Sequence, residues 1–424
     1  MRANARGPAS LGVIFGIVLL DLLGFGILIP QLGIYGVKFD ASPFVVGLLL
    51  SVYSLMQLLF APVLGRLSDR YGRRPVLLYS VAGSLAGYLL FAFARSLPLL
   101  FLARVVDGIS GGNISTAQAY ISDVTTKENR AKGMGMVGAA FGLGFILEPG
   151  IGGFLGALGG NLAIGLGAAA LAAMNLVFAF FWLPESRQPG SAPATGKSLG
   201  GLGRVLRLPV LGLALGLFLL FTTAFSQMEG TFSVFLLIRH VAHAAEVGVG
   251  RDLFSLVPVA TGPLLKEASW RAGFLFATVG VVSAIVQGGL IGRLRGRFGE
   301  GRLVVAGTLL TGAGLFLIPA MPAYGWLFLP MGLLAAGSGL TNPSMSAVVS
   351  LHAPPERQGE VLGAYQAMGS LGRIVGPALG GLLFTVEGPS LPYVVAGLMM
   401  AVGTVWAVLL ARRLVQTAPP AEGP

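Results

Sequence analysis

Of the 424 residues, 54% are hydrophobic and only 11% are charged, where a soluble domain carries about 25%. So few charges exclude a set of water-facing domains of this total size. Cysteine is absent and only three histidines are present, which removes disulfides, thiolate metal sites and cysteine nucleophiles. The formal charge of +11 is spread over short connecting segments, so it does not point to nucleic acid.

A membrane helix needs about 20 mostly apolar residues to cross roughly 30 Å of hydrocarbon. Residues 11–37 carry only Asp21, 41–65 and 75–94 carry no charge, and 96–122 carry only Arg104 and Asp107. Residues 133–184 hold only Glu148, 208–238 only Glu229 and 361–386 only Arg373, while 272–292, 303–355 and 388–411 hold none. Two runs are too long for one crossing and break at Gly159-Gly160-Asn161 and at Pro319-Ala320-Met321-Pro322. Twelve spans are therefore predicted, at about 11–34, 43–65, 75–94, 98–122, 133–156, 161–183, 209–238, 271–292, 302–319, 324–350, 360–384 and 390–411. Arg2 and Arg6 precede the first run in the manner of a secretory signal. Asp21 and a continuing apolar stretch without a small-residue cleavage site make it the first span instead.

Lysine and arginine favour the cytoplasmic side of short loops. Alternating the spans puts 20 of the 28 on the side of the N-terminal tail and 6 on the other, with Arg104 and Arg373 inside spans. Both termini are thus expected in the cytoplasm, in a multi-pass protein of the inner (cytoplasmic) cell membrane. A miscount of one span would have erased the asymmetry.

The chain repeats itself. Gly65-Arg-Leu-Ser-Asp-Arg-Tyr-Gly72-Arg73 returns as Gly292-Arg-Leu-Arg-Gly-Arg-Phe-Gly299-Glu300, an offset of 227. Gly144-x-x-x-Glu148-Pro149-x-x-Gly152-Gly153 returns as Gly372-x-x-x-Gly376-Pro377-x-x-Gly380-Gly381, an offset of 228, and Arg130 matches Arg357 at 227. Three separated matches imply duplicated halves: a six-helix bundle over 1–183, a flexible cytoplasmic linker over 184–208 and a second bundle over 209–424. Paired six-helix halves suit a transporter whose substrate binds near mid-membrane and whose halves rock to expose it to each side.

Gly65 to Pro75 resembles the signature after the second helix of the major facilitator superfamily. Arg104-x-x-x-Gly108 resembles that superfamily's fourth-helix arginine motif, and residues 144–153 resemble its antiporter motif. Asp21-Leu-Leu-Gly-Phe-Gly-Ile-Leu-Ile-Pro30 and Gly111 to Asp123 are similar to the tetracycline and multidrug proton antiporter branch. The resemblance covers nearly the whole chain. It implies an all-α integral membrane protein with twelve transmembrane helices in two pseudo-symmetric six-helix bundles. Two departures stand out. Glu148 occupies a position where the family motif has glycine, and the segment 240–270, with His240, His243, Glu246, Arg251 and Asp252, is longer than the family's pattern.

Ionisable groups at membrane depth are costly and read as functional by default. Asp21 sits near mid-bilayer, where desolvation favours a neutral carboxyl that can carry a proton; the plain alternative is a structural acid bonded to a neighbouring helix. Gly24, Gly26 and Pro30 follow it and permit close packing or a bend. Arg104 and Asp107, three apart, share a helix face and can pair; the resemblance implies that the arginine influences proton coupling. Asn113, Thr116 and Gln118 offer uncharged hydrogen bonds to substrate or to other helices. Glu148 lies on a stripe with Gly144 and Gly152, as a second protonation site or a helix staple. Glu229, with Phe225, Phe232 and Phe235 nearby, suits an amphipathic cation, though phenylalanines at helical spacing are also plain packing. Arg373 needs an acid partner within the membrane. Gly144, Pro149, Gly153, Gly376 and Pro377 form the helix-packing motif.

Asp69, Arg70, Arg73 and Arg74 fall at the cytoplasmic ends of the second and third spans, and Asp123 at that of the fourth. The resemblance implies a charge latch of Asp69, Arg73 and Asp123, with Arg70 beside it. It would hold the outward-open state and break on inward opening. The repeat copy has Gly296 in place of Asp69, so a second latch would be weaker.

No phosphate-binding Gly-x-x-x-x-Gly-Lys-Ser/Thr segment is present, so transport would be secondary, without a cofactor. No hydrolase motif occurs, and His240 with His243 lack a third metal ligand. The chain thus reads as no enzyme. It reads as a secondary active transporter that exports a hydrophobic or cationic drug-like molecule in exchange for protons, by alternating access. Its expected partners are that small molecule, protons and the lipid bilayer, and a monomer suffices. A proton symporter or uniporter for a small solute such as a sugar, Na⁺ as coupling ion, and a non-transporting scaffold or receptor of this fold are the alternatives.

Overall fold

The computed structural model describes residues 8–126, 130–186, 200–242, 262–354 and 357–417. Most of the expected linker (187–199), and His243, Glu246, Arg251 and Asp252 of the long segment, lie outside the described residues.

Among the described residues the chain is helical: α1 (Pro8–Lys38), α2 (Pro43–Tyr71), α3 (Arg73–Ala92), α4 (Leu97–Ser110), α5 (Ile114–Val124), α6 (Arg130–Trp182), α7 (Gly200–Leu206), α8 (Pro209–Leu236), α9 (Gly262–Ala284), α10 (Ile291–Leu317), α11 (Phe328–Leu351), α12 (Gln358–Glu387) and α13 (Leu391–Thr417). Nine helical stretches among the described residues are long and apolar enough to cross a membrane, one of them, Pro263–Ala320, 58 residues long and so sufficient for two crossings. The twelve predicted spans map onto these helices. Spans five and six are the two arms of α6. Span eight is α9 continued into the start of α10, and span nine is the rest of α10.

Local chemistry sets the breaks. Ser42 caps α2, its Oγ accepting the Val45 N–H at 3.3 Å, and Pro43 follows at the first helical position. The arms of α6 bend at Gly159 and at Gly160 (φ 66), and α10 bends at Gly299 (φ 75). Gly72, between α2 and α3, has φ 101 and ψ 156, and Gly299 has ψ 163. These are conformations that essentially only glycine adopts. The two are 227 residues apart, so the repeat read from the motifs is also a repeat of backbone geometry. Gly160 and Gly388 (φ 88), 228 apart, repeat it at the turns after the fifth and eleventh spans. The signature after the second span is therefore not a loop. Helix α2 continues through Tyr71, because nothing before Gly72 interrupts it, and the turn is a single residue.

By spatial contact the chain groups into two units that cut across the sequence halves. The first is Met1–Gly196, Ser226–Gly280 and Arg373–Pro392; the second is Lys197–Phe225, Val281–Gly372 and Tyr393–Pro424. In the first, one apolar core gathers Ile27, Leu28, Leu49, Phe91, Leu100 and Ile164, and another gathers Ile14, Ile17, Leu77, Tyr120 and Ala179. Asn175 ties α6 to α1, its Nδ2 donating to the Ile17 carbonyl at 3.0 Å. In the second, Leu211, Leu215, Phe218, Met345, Val348 and Leu410 form the core, with Phe218 stacked on Tyr365 at 3.9 Å. Val205 of α7 is buried in that core. The expected flexible linker thus ends in a docked helix, because Val205 and Leu208 give it an apolar side.

Candidate functional site

The charged residues inside the spans meet in the first unit. Helix α4 gives way to a 3₁₀ turn at Gly111–Asn113 before α5 resumes, the kind of mid-helix tightening found at functional sites. Glycines let this segment lie on α2: Gly108 rests on the Tyr53 backbone, Gly111 on the Tyr53 ring and Gly112 on the Phe60 and Ala61 backbone. The turn aims Asn113 at α1, where its Nδ2 donates to Asp21 Oδ2 at 3.2 Å.

Arg104 and Asp107 form the expected pair, Nη1 to Oδ2 at 2.8 Å, with the side chains only 1% and 2% exposed. The Arg104 guanidinium lies 4.5 Å from the Tyr53 ring centroid and 5.6 Å from that of Phe25. Phe25 and Tyr53 are themselves stacked at 4.2 Å. A delocalised cation between an acid and two aromatic faces is held by charge and by ring quadrupole together. From α3 the Ser84 and Tyr88 hydroxyls face Asp107. Arg104 Nε and Nη2, Asp107 Oδ1 and Thr116 Oγ1 are buried without a hydrogen-bond partner among the described residues. Tyr53 lies within electrostatic reach of Asp21, Asp107, Arg104 and Arg373. Gln57, one turn on from Tyr53, donates to the Tyr53 hydroxyl at 3.4 Å and to the Gly111 carbonyl at 3.0 Å. Gln118, half-buried on α5, makes no hydrogen bond among the described residues, so Asp21, Arg104, Asp107 and Asn113 form the cluster without it.

Glu148 and Glu229 form a second group. Glu148 is 5% exposed, and its carboxyl fills the space above the backbone of Gly26 in α1. The charge of Glu229 reaches Glu148, and Glu229 in turn feels Arg373. Glu229 is thus an acid near the arginine that needed one. The aromatic surround expected at Glu229 differs. Phe232 and Phe235 are fully buried, and Phe232 packs edge-on against Phe276 at 5.4 Å. They are packing, while Phe225 is half-buried.

The packing motif makes two related seams. Gly153 of α6 lies on the Gly273 backbone of α9, and Gly150 on Ala277. Pro377 of α12 lies against Gly47 and Gly230, and Gly381 against Pro43 and Phe44 of α2. Ser51 of α2 donates to the Ile374 carbonyl at 2.6 Å. Gly376 is buried beside Pro377, Gly144 approaches Leu22 of α1, and Pro149 falls inside α6 between its glycines.

The basic end of α2, opposite these seams, carries the expected triad. Arg73 pairs with Asp69 at 2.8 Å and with Asp123 at 3.0 Å, and its Nη1 also donates to Ser68 Oγ at 2.6 Å. Arg70 is outside it, exposed, with its guanidinium 5.3 Å from the Tyr71 ring. Glu185 completes the network: its carboxylate accepts the Arg73 and Arg74 backbone N–H groups at 2.9 and 3.1 Å, capping α3. The triad is bonded while the opposite-end seams are packed. In the repeat copy Arg295 pairs instead with Glu300 at 2.6 Å, and among the described residues no atom lies within 4 Å of where a Gly296 Cβ would stand.

Sequence reasoning missed Tyr53, Gln57, Phe25 and Glu185. Tyr53 and Gln57 had a signal: polar groups at i and i+4 in a charge-free span. Glu185 had none, since it reaches α3 across 112 residues.

Comparison with known proteins fits this geometry. The sequence profile of the Major Facilitator Superfamily matches residues 14–265 and 265–424. The tetracycline resistance protein, class C, of Escherichia coli is 33% identical over 375 residues, covering 87% of this chain and 88% of its own. Multidrug resistance protein 2 of Bacillus subtilis (strain 168) is 28% identical over 394 residues, 91% of each chain. The crystal structure of the human organic anion transporter MFSD10 superposes with a TM-score of 0.68 at 25% identity, over 95% of this chain and 100% of that one. Matched along nearly its full length by profile, sequence and structure, the chain belongs to the Major Facilitator Superfamily, as a multi-pass membrane transporter of small molecules related to the tetracycline and multidrug efflux proteins.

Proposed function

We propose that this transporter exports a hydrophobic or cationic drug-like molecule across the cytoplasmic membrane in exchange for protons, with both termini in the cytoplasm. The observation that carries the reading is the Asp21–Asn113 hydrogen bond beside the buried Arg104–Asp107 pair. A carboxyl at membrane depth whose one hydrogen bond among the described residues is to a neutral amide is at its least costly when protonated. It becomes acceptable as a carboxylate when a cation arrives. A proton and a cationic substrate thus compete for one acid, and each displaces the other; such competition is a negative coupling between the two ligands. With protons entering down their gradient, substrate leaves.

In this reading Arg104 is engaged with Asp107, and Asp21, beside the neutral amide of Asn113, is the acid that exchanges the proton. Glu229, in the second group, lies within reach of the Arg373 charge. Four acids in the spans of the first unit, Asp21, Asp107, Glu148 and Glu229, against Arg104 and Arg373, favour a cation or a neutral molecule. The human relative is named an organic anion transporter, and this acid excess argues against that class here. The halves 1–183 and 209–424 are read as the rocking bodies. The Asp69–Arg73–Asp123 triad, bonded while the opposite-end seams are packed, would act on transport by fixing the Gly72 turn.

Cells overexpressing the protein are to be screened against cationic, neutral and anionic toxic compounds, with and without an uncoupler. Raised resistance to cationic or neutral compounds, lost with the uncoupler, is expected. Resistance that survives the uncoupler, or that is confined to anions, would contradict the reading.

A further inference from the structure

Past the predicted span 209–238, the end of α8 widens into a π-helical turn, Leu237–Ala242, an irregularity that recurs at functional sites. The turn carries His240 into the protein. The residue is 5% exposed, and its Nε2 is buried without a hydrogen-bond partner among the described residues. The ring lies 5.8 Å from that of Phe235. The His240 carbonyl accepts from Arg271 Nη1 of α9 at 2.7 Å, and Arg271 Nε is held by Glu267, one helical turn back, at 2.7 Å. Arg271 therefore ties α9 to the end of α8. Beside it, Gly273 meets Gly153 of α6 backbone to backbone, and Trp270 lies 6.0 Å from Phe154 of α6. One turn of α9 thus joins α8 and α6 together.

The charges that reach the His240 ring have one sign: Arg239 on its own turn and Arg271 on α9. Glu267 is already engaged by Arg271, and Lys266 beside it is exposed. Helix α1 packs on α8 at Gly33 and ends in exposed Lys38 and Asp40, while α12 packs on α8 at Gly380 and ends in exposed Glu387. Helix α6 carries no charge over 149–182. A neutral imidazole fits beside Phe235. An imidazolium enclosed there would be a third cation without an acceptor, and it is better placed in water.

We propose that His240 is a pH-sensitive switch on α9: when neutral it stays enclosed and Arg271 holds α9 to α8, and when protonated it leaves the enclosure, so that the Arg271 tie breaks and α9 parts from α6. The closed arrangement is favoured at neutral and alkaline pH. It weakens as pH falls through about 6.5, the ordinary imidazole value of the opened residue. In the proposed orientation this end faces outward, so acidity outside opens the side on which protons enter and substrate leaves. That consequence rests on the proton-exchange reading of transport; the switch itself does not involve Asp21.

The absence of native cysteine permits a direct test. Spin labels are placed at Leu158→Cys on α6 and Lys266→Cys on α9, both exposed. Their separation is followed by pulsed electron resonance in lipid nanodiscs from alkaline to acid pH. In the parent protein a short separation is expected at neutral pH and a longer one below about pH 6.5. His240→Phe and His240→Gln, neutral at every pH, should keep the short separation throughout. Arg239→Gln removes one of the two cations that oppose the imidazolium, so its midpoint should move to lower pH by roughly 0.3 unit or more. A parent protein without a pH response, a parent-like response in both His240 variants, or an Arg239→Gln midpoint that stays or rises would each overturn the proposal. A response lost in Asp21→Asn but kept in the His240 variants would overturn it too, while leaving proton exchange at Asp21 standing.

Discussion

At the scale of single residues, Arg104 shows how a charge is made tolerable at membrane depth. It is enclosed by one acid and two ring faces. Removing one partner of a buried ion pair typically costs about 3–5 kcal/mol, because the other is left uncompensated. Arg104→Ala should therefore lower thermal stability in nanodiscs sharply. Arg104→Lys, which keeps the charge but loses the planar stack on Tyr53, should fall between it and the parent. Equal melting of the Lys and Ala variants would show that the rings contribute nothing. The triad at the basic end permits a different measurement. Asp69 and Asp123 share one guanidinium, so Asp69→Asn and Asp123→Asn should be non-additive, with a coupling of about 0.5–3 kcal/mol in a double-mutant cycle. Strict additivity would mean that the two pairs are independent.

At the scale of elements, two glycines that match in sequence and in backbone angle differ in surroundings. A Cβ at Gly72 would run into the Glu185 carboxylate, whereas at Gly299 it would meet open space. Both need a backbone that L-residues occupy at roughly 1–3 kcal/mol. Gly72→Ala should thus destabilise more than Gly299→Ala, and the order of their melting temperatures checks it; the reverse order would deny the Glu185 cap its role. The helices themselves were legible, because charge-free runs, Gly159-Gly160 and the repeated motifs act locally. So was the Arg104–Asp107 pair, which is one helical turn. What the sequence hid is what crosses the fold. Glu148 reaches Gly26 from a helix more than a hundred residues away, Glu185 caps α3, and Arg104 lies on Tyr53. Phenylalanine spacing around Glu229 suggested a pocket, yet spacing does not separate a lining ring from a packed one, and Phe232 and Phe235 are packed.

At the scale of the whole molecule, the low charged fraction acquires two meanings. Most charges sit at helix ends and in the connections between them, where their asymmetry predicts orientation. Six are enclosed within spans, and all six fall in one spatial unit drawn from both halves of the chain. Of the two groups that these charges form, the one with Glu148 and Glu229 draws an acid from each half of the chain. Asp21 is the acid proposed to exchange the proton. The direct measurement is transport by purified protein in proteoliposomes under an imposed pH gradient, using a compound identified by the resistance screen, for the parent and for Asp21→Asn. The parent should move the compound against its own gradient, opposite to the flow of protons, and Asp21→Asn should lose that uphill movement while remaining folded. Movement of compound and protons in the same direction, or an Asp21→Asn variant that still concentrates the compound, would contradict the account.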